Sequence, residues 1–353
     1  MTLPDALPWV WHDAPLGRWT TLGVGGRTWG LATFENADDL RRLIAYAQRA
    51  RRPWRVLGAG SNVVVSDSGY DGLVLRSRNR VLTVRDRVVR AGAGLEWDHV
   101  VRCAVKHGLS GIEALSGIPG SVGAAPFQNI GAYGQELSDT LVSVDVLDEE
   151  GCVRRVPAPD LGLAYRSSIL KRGTRWVVLS IELELSRSTP EPRYRELRDA
   201  VPSLSVDRGR ALRQIRKAVL RIRRQKSMVW DPADPNHRSV GSFFLNPILS
   251  DSALGALTRR CNEMRFPSPP HYRGDTGVKV SAAWLIERSG LSKGFCWGEA
   301  GLSTRHSLAI VNRRGFATSH EIRSLAEHVR STVGHHFDVK LEPEPQLIGE
   351  TWT

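Results

Sequence analysis

Apolar spacing along the chain marks out a series of helices and strands. Between residues 36 and 53, Leu40, Leu43, Ile44 and Ala47 fall on one face of a helix that Asn36 can cap. Residues 54–77, WRVLGAGSNVVVSDSGYDGLVLRS, read as three short strands separated by two glycine-rich turns. A hairpin is predicted over 81–94, an amphipathic helix over 95–108, and a long glycine-rich loop over 117–134. Residues 143–156 alternate around Glu-Glu-Gly as a second hairpin, and 175–186 form a further strand. The texture then changes to a basic helix over 206–226, with an apolar stripe at Leu212, Ile215, Val219 and Ile222. The connector DPADPNHRS (231–239) places a domain boundary nearby, and 239–247 (SVGSFFLNP) reads as a buried strand that holds a serine, Ser242. Helices follow around 251–264, 281–289 and 319–335, the last opened by a Thr318-x-x-Glu321 capping box. A final strand is predicted over 338–349. The elements together give an α+β class.

Composition narrows what such a chain can be. Its 353 residues, 41% hydrophobic and 24% charged, suffice for two or three domains with cores of their own. A formal net charge of +12, most of it from Arg, favours anionic partners without choosing among nucleic acid, membrane surfaces and phosphate-bearing small molecules. Cys103, Cys152, Cys261 and Cys296 are far apart and form no C-x-x-C pair, which argues against a zinc site or a disulfide scaffold and suits a reducing cytosol. The histidines show no metal-ligand spacing, so no metal is expected; no role is assigned to the adjacent His335 and His336. The first nineteen residues lack a basic segment followed by an apolar core, and no run approaches the length of a membrane span. The expectation is a soluble, cytoplasmic protein.

Two stretches carry candidate cofactor chemistry. VLGAGSN (56–62) puts Gly58, Gly60, Ser61 and Asn62 directly after a strand, where backbone N–H groups can approach a phosphate or simply make a tight turn. The G-x-G-x-x-G spacing fails, and a strand follows instead of a helix, so this is not a Rossmann fingerprint. SGIPGSVGAAPFQNIGAYGQEL (116–137) holds five glycines and two prolines, punctuated by Gln128, Asn129 and Tyr133. It suits wrapping a large planar ligand with main-chain donors, or else it is a connecting Ω-loop. Ser242 lies outside any G-x-S-x-G elbow, so a hydrolase nucleophile is not indicated.

These stretches resemble the FAD-binding segments of the UDP-N-acetylenolpyruvoylglucosamine reductases. The resemblance continues through TTLGVGGRT (20–28), AYRSSILKR (164–172), RYREL (193–197), GSFFLNP (241–247), VKVSAAWLIERSGLSKGF (278–295), RHSLAIVN (305–312) and LEPEPQLIG (341–349), in the family's order and over nearly the whole chain. It implies an α+β protein of three domains. Two would form a vanillyl-alcohol-oxidase-type (PCMH-like) FAD-binding unit, from residues 1–75 plus 338–353 and from 76–225; an α+β substrate-binding domain would span 226–337. FAD would be held non-covalently, since no His or Cys for a covalent link occurs in the corresponding loops. Its contacts would be Gly58, Gly60, Ser61, Asn62, Pro119, Gly120, Gly123, Asn129 and Gly131. Ala124 and Ala125 replace polar residues of some relatives, so contacts there fall to the backbone.

The resemblance further implies reduction of an enolpyruvyl UDP-sugar with NADPH as co-substrate, in peptidoglycan precursor synthesis, by a monomer without nucleic-acid or membrane partners. Arg166 would clamp the substrate carboxylate, Ser242 would be the proton donor, and Glu344 a carboxyl whose pKa the substrate raises. Glu342 is the rival acid; on a regular strand it shares a face with Glu344, so alternation cannot choose, and resemblance favours Glu344. Tyr133, Tyr194, Lys226 and Asn246 would contact substrate, Tyr194 from a covering loop. His306 occupies a motif position that an ordinary histidine fills equally well. Two other readings stand beside this one: a different FAD oxidoreductase of the same cofactor fold, and a nucleic-acid-binding protein using the basic helix.

Overall fold

The computed structural model describes residues 9–274 and 277–352. Residues 1–8, part of the N-terminal stretch read for targeting signals, lie outside the described residues. The chain divides into two compact units, neither of which is continuous in sequence. The first takes the chain up to Ala14, then Thr28–Ala59 and Asp71–Val229; the second takes Pro15–Arg27, Gly60–Tyr70 and everything from Trp230.

Five strands, β1 (Trp11–Pro15), β2 (Arg27–Phe34), β3 (Trp54–Val56), β4 (Val63–Val65) and β5 (Tyr70–Ser77), open the chain. In the first unit, β1, β2, β5 and β3 form one sheet in that order, with β3 and β5 parallel. Helix α1 (Ala37–Arg49) contributes Leu40, Leu43, Tyr46 and Ala47 to its core, and Asn36 Oδ1 caps it by accepting from Asp39 N at 2.9 Å. Ile44 is only half-buried; the buried arc is turned toward Tyr46, which stacks on Trp29 with ring centroids 5.5 Å apart. A second sheet, wholly antiparallel, runs β11-β10-β12-β7-β6, from β6 (Leu82–Arg85), β7 (Val88–Gly92), β10 (Leu141–Leu147), β11 (Val153–Pro157) and β12 (Val177–Glu184). Both predicted hairpins are therefore present. Helix α2 (Trp97–Lys106) buries Trp97, Val100, Val101 and Ala104 in the same core as this sheet.

The loop over 117–134 is more ordered than its glycine content suggests. Residues Val122–Gln128 make a 3-10 helix, and β8 (Gly131–Ala132) pairs with β9 (Gln135–Glu136) in a minimal hairpin. Two short helices, α3 (Ile169–Arg172) and α4 (Arg195–Ala200), were not expected from the apolar pattern, being too short to show a period. The basic helix α5 (Arg208–Gln225) is capped by Asp207, and all four predicted stripe residues are buried, together with Ala211 and Ala218. Each large aliphatic in that stripe contributes roughly 1.5–3 kcal/mol of burial.

The second unit holds α6 (Asp251–Glu263), α7 (Ala282–Arg288) and α8 (Ser319–Phe337), with the Thr318/Glu321 capping box formed as predicted. Its small sheets are β13 (Ile248–Leu249), β15 (Gly277–Val280) and β14 (His271–Gly274), and β16 (Cys296–Trp297), β17 (Ala300–Leu302) and β18 (Ile310–Asn312), all antiparallel. The final strand is much shorter than expected. Only β19 (Gln346–Ile348) is regular, paired in parallel with β4, because Pro343 and Pro345 cannot donate to a ladder. The expected strand over 239–247 is likewise an extended segment with two isolated bridges, Ser239 to Val311 and Phe244 to Pro343. Gly241, at φ 75°, breaks the regular pleat between them. Among the described residues no helix is long and apolar enough to cross a membrane.

Candidate active site

Glycine is required at the two candidate cofactor turns by packing. In the first unit, a Cβ at Gly58 would sit 2.5 Å from Ser121 Oγ and 3.3 Å from the Ala124 methyl, and one at Gly123 would meet the Ala93 Cβ at 2.7 Å. The turn after β3 therefore lies directly against the Ser121 and Ala124 side chains of the 119–124 loop. Among the described residues no carbonyl takes the N–H of Gly58 or Ala59, nor that of Gly120 or Ser121. In the second unit, a Cβ at Gly60 (φ 68°) would fall 2.1 Å from Trp19 O, and the Gly60 N–H is likewise without a carbonyl partner among the described residues. Successive unclaimed N–H donors at bare backbone are the donor set that a dinucleotide's phosphates require. These residues fit FAD.

The first unit then assembles a compact polar cluster. Arg166 donates from its two Nη atoms to the carbonyls of Asn129 (3.2 Å) and Gly131 (2.9 Å), which fix the plane of its guanidinium. Asn129, Tyr133 and Arg166 all have positive φ, at 41°, 51° and 53°. Three non-glycine residues in this costly region, on segments joined by hydrogen bonds, mark a place where the fold holds a geometry against local preference. The buried Asn129 side chain is consumed internally, donating to Glu136 Oε2 (2.9 Å) and Ser138 Oγ (3.2 Å) and accepting from Ser138 N, so it shapes the loop and offers a ligand only its backbone. Tyr133 meets Tyr194 edge to face, centroids 5.9 Å apart, and Tyr194 is the N-cap residue of α4. Lys226, at the C-cap of α5, is half-buried and donates from Nζ to Glu196 Oε2 at 2.6 Å.

Arg223 is the residue that sequence reasoning missed. Its side chain is half-buried beside Tyr133, donates from Nη2 to Met228 O at 2.7 Å, and leaves its buried Nε without a partner. Burial pulls its pKa below the ordinary arginine value, against the opposing pull of Tyr133 and Asp98. Burial likewise pushes the Tyr133 phenol up, against the pull of Arg223. The signal was present: Arg223 lies four residues after Val219, on the apolar stripe itself, where a charge needs a reason.

In the second unit, Ser242 lies on the extended segment whose hydrogen bonds run to two neighbours. Phe243 N donates to Leu308 O (2.8 Å), Glu344 N to Phe243 O (2.9 Å) and Leu245 N to Glu342 O (2.9 Å). Asn62 joins the same group: its O accepts from Gln346 N at 3.1 Å, and its Nδ2 reaches Glu344 O at a long 3.5 Å. Thr21 ties the turn to the segment's head, its N donating to Gly60 O (3.0 Å) and its Oγ1 to Ser239 O (2.6 Å). Ser242, Glu344, Ser61 and Asn62 are thus carried on hydrogen-bonded neighbouring segments. Among the described residues, none is hydrogen-bonded to the Ser242 hydroxyl. Glu342 is exposed and Glu344 half-buried. Asn246 has a local duty, its Oδ1 accepting from Ala282 N (3.0 Å) at the start of α7. His306 accepts from Leu308 N at 3.2 Å through Nδ1, which shapes its own turn.

A family model described as an FAD binding domain matches residues 30–157, and one for the C-terminal domain of UDP-N-acetylenolpyruvoylglucosamine reductase matches 232–348. The UDP-N-acetylenolpyruvoylglucosamine reductase of Thermobifida fusca is 46% identical, covering 96% of this chain and 98% of its own length. The chain belongs to the UDP-N-acetylenolpyruvoylglucosamine reductase family. The Mycobacterium marinum reductase is 42% identical, over 96% of this chain and 95% of its own. The crystal structure of the Thermus caldophilus reductase superposes with a TM-score of 0.68 at 28% identity, covering 96% of this chain and 98% of that one. As a member of this reductase family the chain is an FAD-dependent oxidoreductase, and its α+β class and family resemblance are borne out. The glycine turns at 58–60 and 120–123 lie inside the residues matched as FAD-binding, and Ser242 and Glu344 lie inside the reductase C-terminal match.

Proposed function

We propose that this reductase uses NADPH to convert the enolpyruvyl ether of UDP-N-acetylglucosamine to UDP-N-acetylmuramate, in peptidoglycan precursor synthesis. The observation that carries the reading is Arg166, a guanidinium fixed in plane by two carbonyls within a strained cluster, as recognition of a planar carboxylate requires. FAD, when bound, supplies hydride transfer between the nicotinamide and the terminal enolpyruvyl carbon. The Gly58, Gly60, Ser61 and Asn62 turn, the Pro119, Gly120 and Gly123 loop, and the backbone at Asn129 and Gly131 would hold it.

Hydride arriving at the terminal carbon leaves an electron pair on the adjacent carbon, delocalised into the carboxylate. Arg166 stabilises that charge, which is larger in the transition state than in the ground state. The Ser242 hydroxyl gives its proton to the adjacent carbon, so the net change is one hydride and one proton added across the double bond. Glu344 hydrogen-bonds the carboxylate and returns a proton to the serine. Lys226, Tyr194, Tyr133 and Asn246 bind the UDP-sugar, with Lys226 supplying charge for the diphosphate. Three domains, cut at 75/76, 225/226 and 337/338, divide these duties in a cytoplasmic monomer.

The test is anaerobic. NADPH should bleach the flavin of the purified yellow protein, and the enolpyruvyl UDP-sugar, but not UDP-N-acetylglucosamine itself, should restore its colour. Colour restored equally by an unrelated alkene acceptor would instead favour a different oxidoreductase of this cofactor fold.

A further inference from the structure

The polar cluster of the first unit has an excess of positive charge and one carboxylate in a peculiar place. Arg223 is half-buried beside Tyr133 and feels the charge of Arg166, and Lys226 follows Arg223 by one helical turn. Of the other nearby acids, Glu136 is committed to Asn129 and Asp98 to Arg216, whose Nη atoms donate to its two oxygens at 2.6 and 2.7 Å. That leaves Glu196, which takes the Lys226 ammonium at 2.6 Å and also bears on Tyr133.

Glu196 is not needed to dock its own helix. Helix α4, six residues long, packs onto α5 through the buried Leu197 and Val201, and its last carbonyl is capped when Arg221 Nη2 donates to Ala200 O at 3.3 Å. The Glu196 and Lys226 side chains are 39% and 34% exposed, so water screens their pair and its net worth is small. A weak pair on a residue that faces an anion site is one a ligand can exchange. A diphosphate brings more charge than a single carboxylate and would outcompete it.

We propose that Glu196 is the resident counter-ion of Lys226: it holds the ammonium beside Tyr194 and Tyr133 until the diphosphate of the nucleotide displaces it. This rests on the reading of Lys226 as a UDP contact. Glu196 is a positioning residue in this scheme, acting on the ligand only through Lys226. It lowers nucleotide affinity by the strength of the pair, and it keeps the cation in place while the site is empty.

The experiment is calorimetric titration of the FAD-loaded enzyme with UDP. Glu196→Gln should tighten UDP binding by up to about fivefold, the equivalent of a screened ion pair. Glu196→Ala should do the same, and Glu196→Asp, which keeps the charge on a shorter arm, should fall between. KM for the UDP-sugar should drop by a similar factor without a rise in kcat. Lys226→Met should weaken UDP binding, and adding Glu196→Gln to it should change nothing further. Unchanged or weaker binding in Glu196→Gln, with Lys226→Met still impaired, overturns the counter-ion role and leaves the UDP-sugar reading standing. Equal tightening in the Lys226→Met background overturns action through the lysine. UDP affinity indifferent to Lys226→Met overturns both the inference and the placement of Lys226 in the site.

Discussion

Ser242 presents a hydroxyl that no described residue binds, on a segment whose next residue is pinned on both backbone groups, Phe243 N to Leu308 O and Phe243 O to Glu344 N. A serine kept for packing would spend its hydroxyl on a carbonyl, as Ser116 spends its own on Glu113 O and Ser168 on Phe127 O. Ser242→Ala should therefore leave flavin reduction by NADPH near normal while slowing reoxidation by the enolpyruvyl sugar about 10²–10⁴-fold, with Ser242→Cys retaining more. Stopped-flow absorbance separates the two half-reactions; equal loss in both would assign the residue to structure. Arg166 makes a different prediction. Lysine cannot span the Asn129 and Gly131 carbonyls, so Arg166→Lys should cost about 10²-fold or more in kcat, with a smaller change in flavin affinity measured by fluorescence quenching. At this scale the sequence was informative in an unexpected way. Arg216 and Arg223 both fall on the apolar stripe of α5, four residues after Leu212 and Val219, and the fold draws both partly out of water, Arg216 to 15% side-chain exposure. Glu196 had no such signal, because a carboxylate in a short unpatterned helix looks like any solvated acid.

Among the elements, the join of α2 to α5 depends on one charged contact. Asp98, in the first turn of α2, accepts both Arg216 hydrogen bonds and one from Gly117 N at 2.7 Å. Burial by itself would raise its pKa, but the Arg216 and Gly117 hydrogen bonds and the Arg216 charge together hold it below the ordinary aspartate value. A carboxyl depressed in the folded state releases its proton there more readily than in the unfolded chain. Its stabilisation is therefore complete above the unfolded value near pH 3.9 and is lost as pH falls toward and through the folded one. Asp98→Asn should cost about 2 kcal/mol at pH 7 in urea unfolding, and the gap from wild type should close as pH falls below about 4. A gap independent of pH would mean that shape, not charge, is what Asn fails to supply. The helices and hairpins were legible because each obeys one period over several turns. Residues 239–247 and 338–345 were not, since an extended run held by scattered bridges shows the same apolar residues as a strand; Gly241, Pro343 and Pro345 are the local marks of the difference.

The division of the whole chain escaped the linear reading altogether, because the second unit is stitched from three separated segments. Leu22 and Val24 from the first, and Val64 from the second, are buried in the same core as Phe243, Leu285, Ile310 and Val329 from the third. Strand β19 has β4 as its parallel partner, in the register Gln346 to Val63, Leu347 to Val64 and Ile348 to Val65. Asp67 caps α8, its carboxylate accepting from Ser319 N at 2.8 Å and His320 N at 3.0 Å, while Asp67 N donates back to Ser319 Oγ at 2.9 Å. The continuous stretch matched by the reductase C-terminal model, 232–348, includes neither short segment. A fragment of residues 230–353 would lose the burial of three aliphatic side chains at roughly 1.5–3 kcal/mol each, plus a helix cap worth about 1 kcal/mol. That total approaches or exceeds the whole stability of a typical domain, roughly 5–15 kcal/mol. The fragment should accordingly show no cooperative thermal transition by circular dichroism and should bind hydrophobic dye, whereas the full chain should melt sharply. A cooperative melt of the isolated fragment would mean that its helices and small sheets close their own core, and that Leu22, Val24 and Val64 add to a structure already formed.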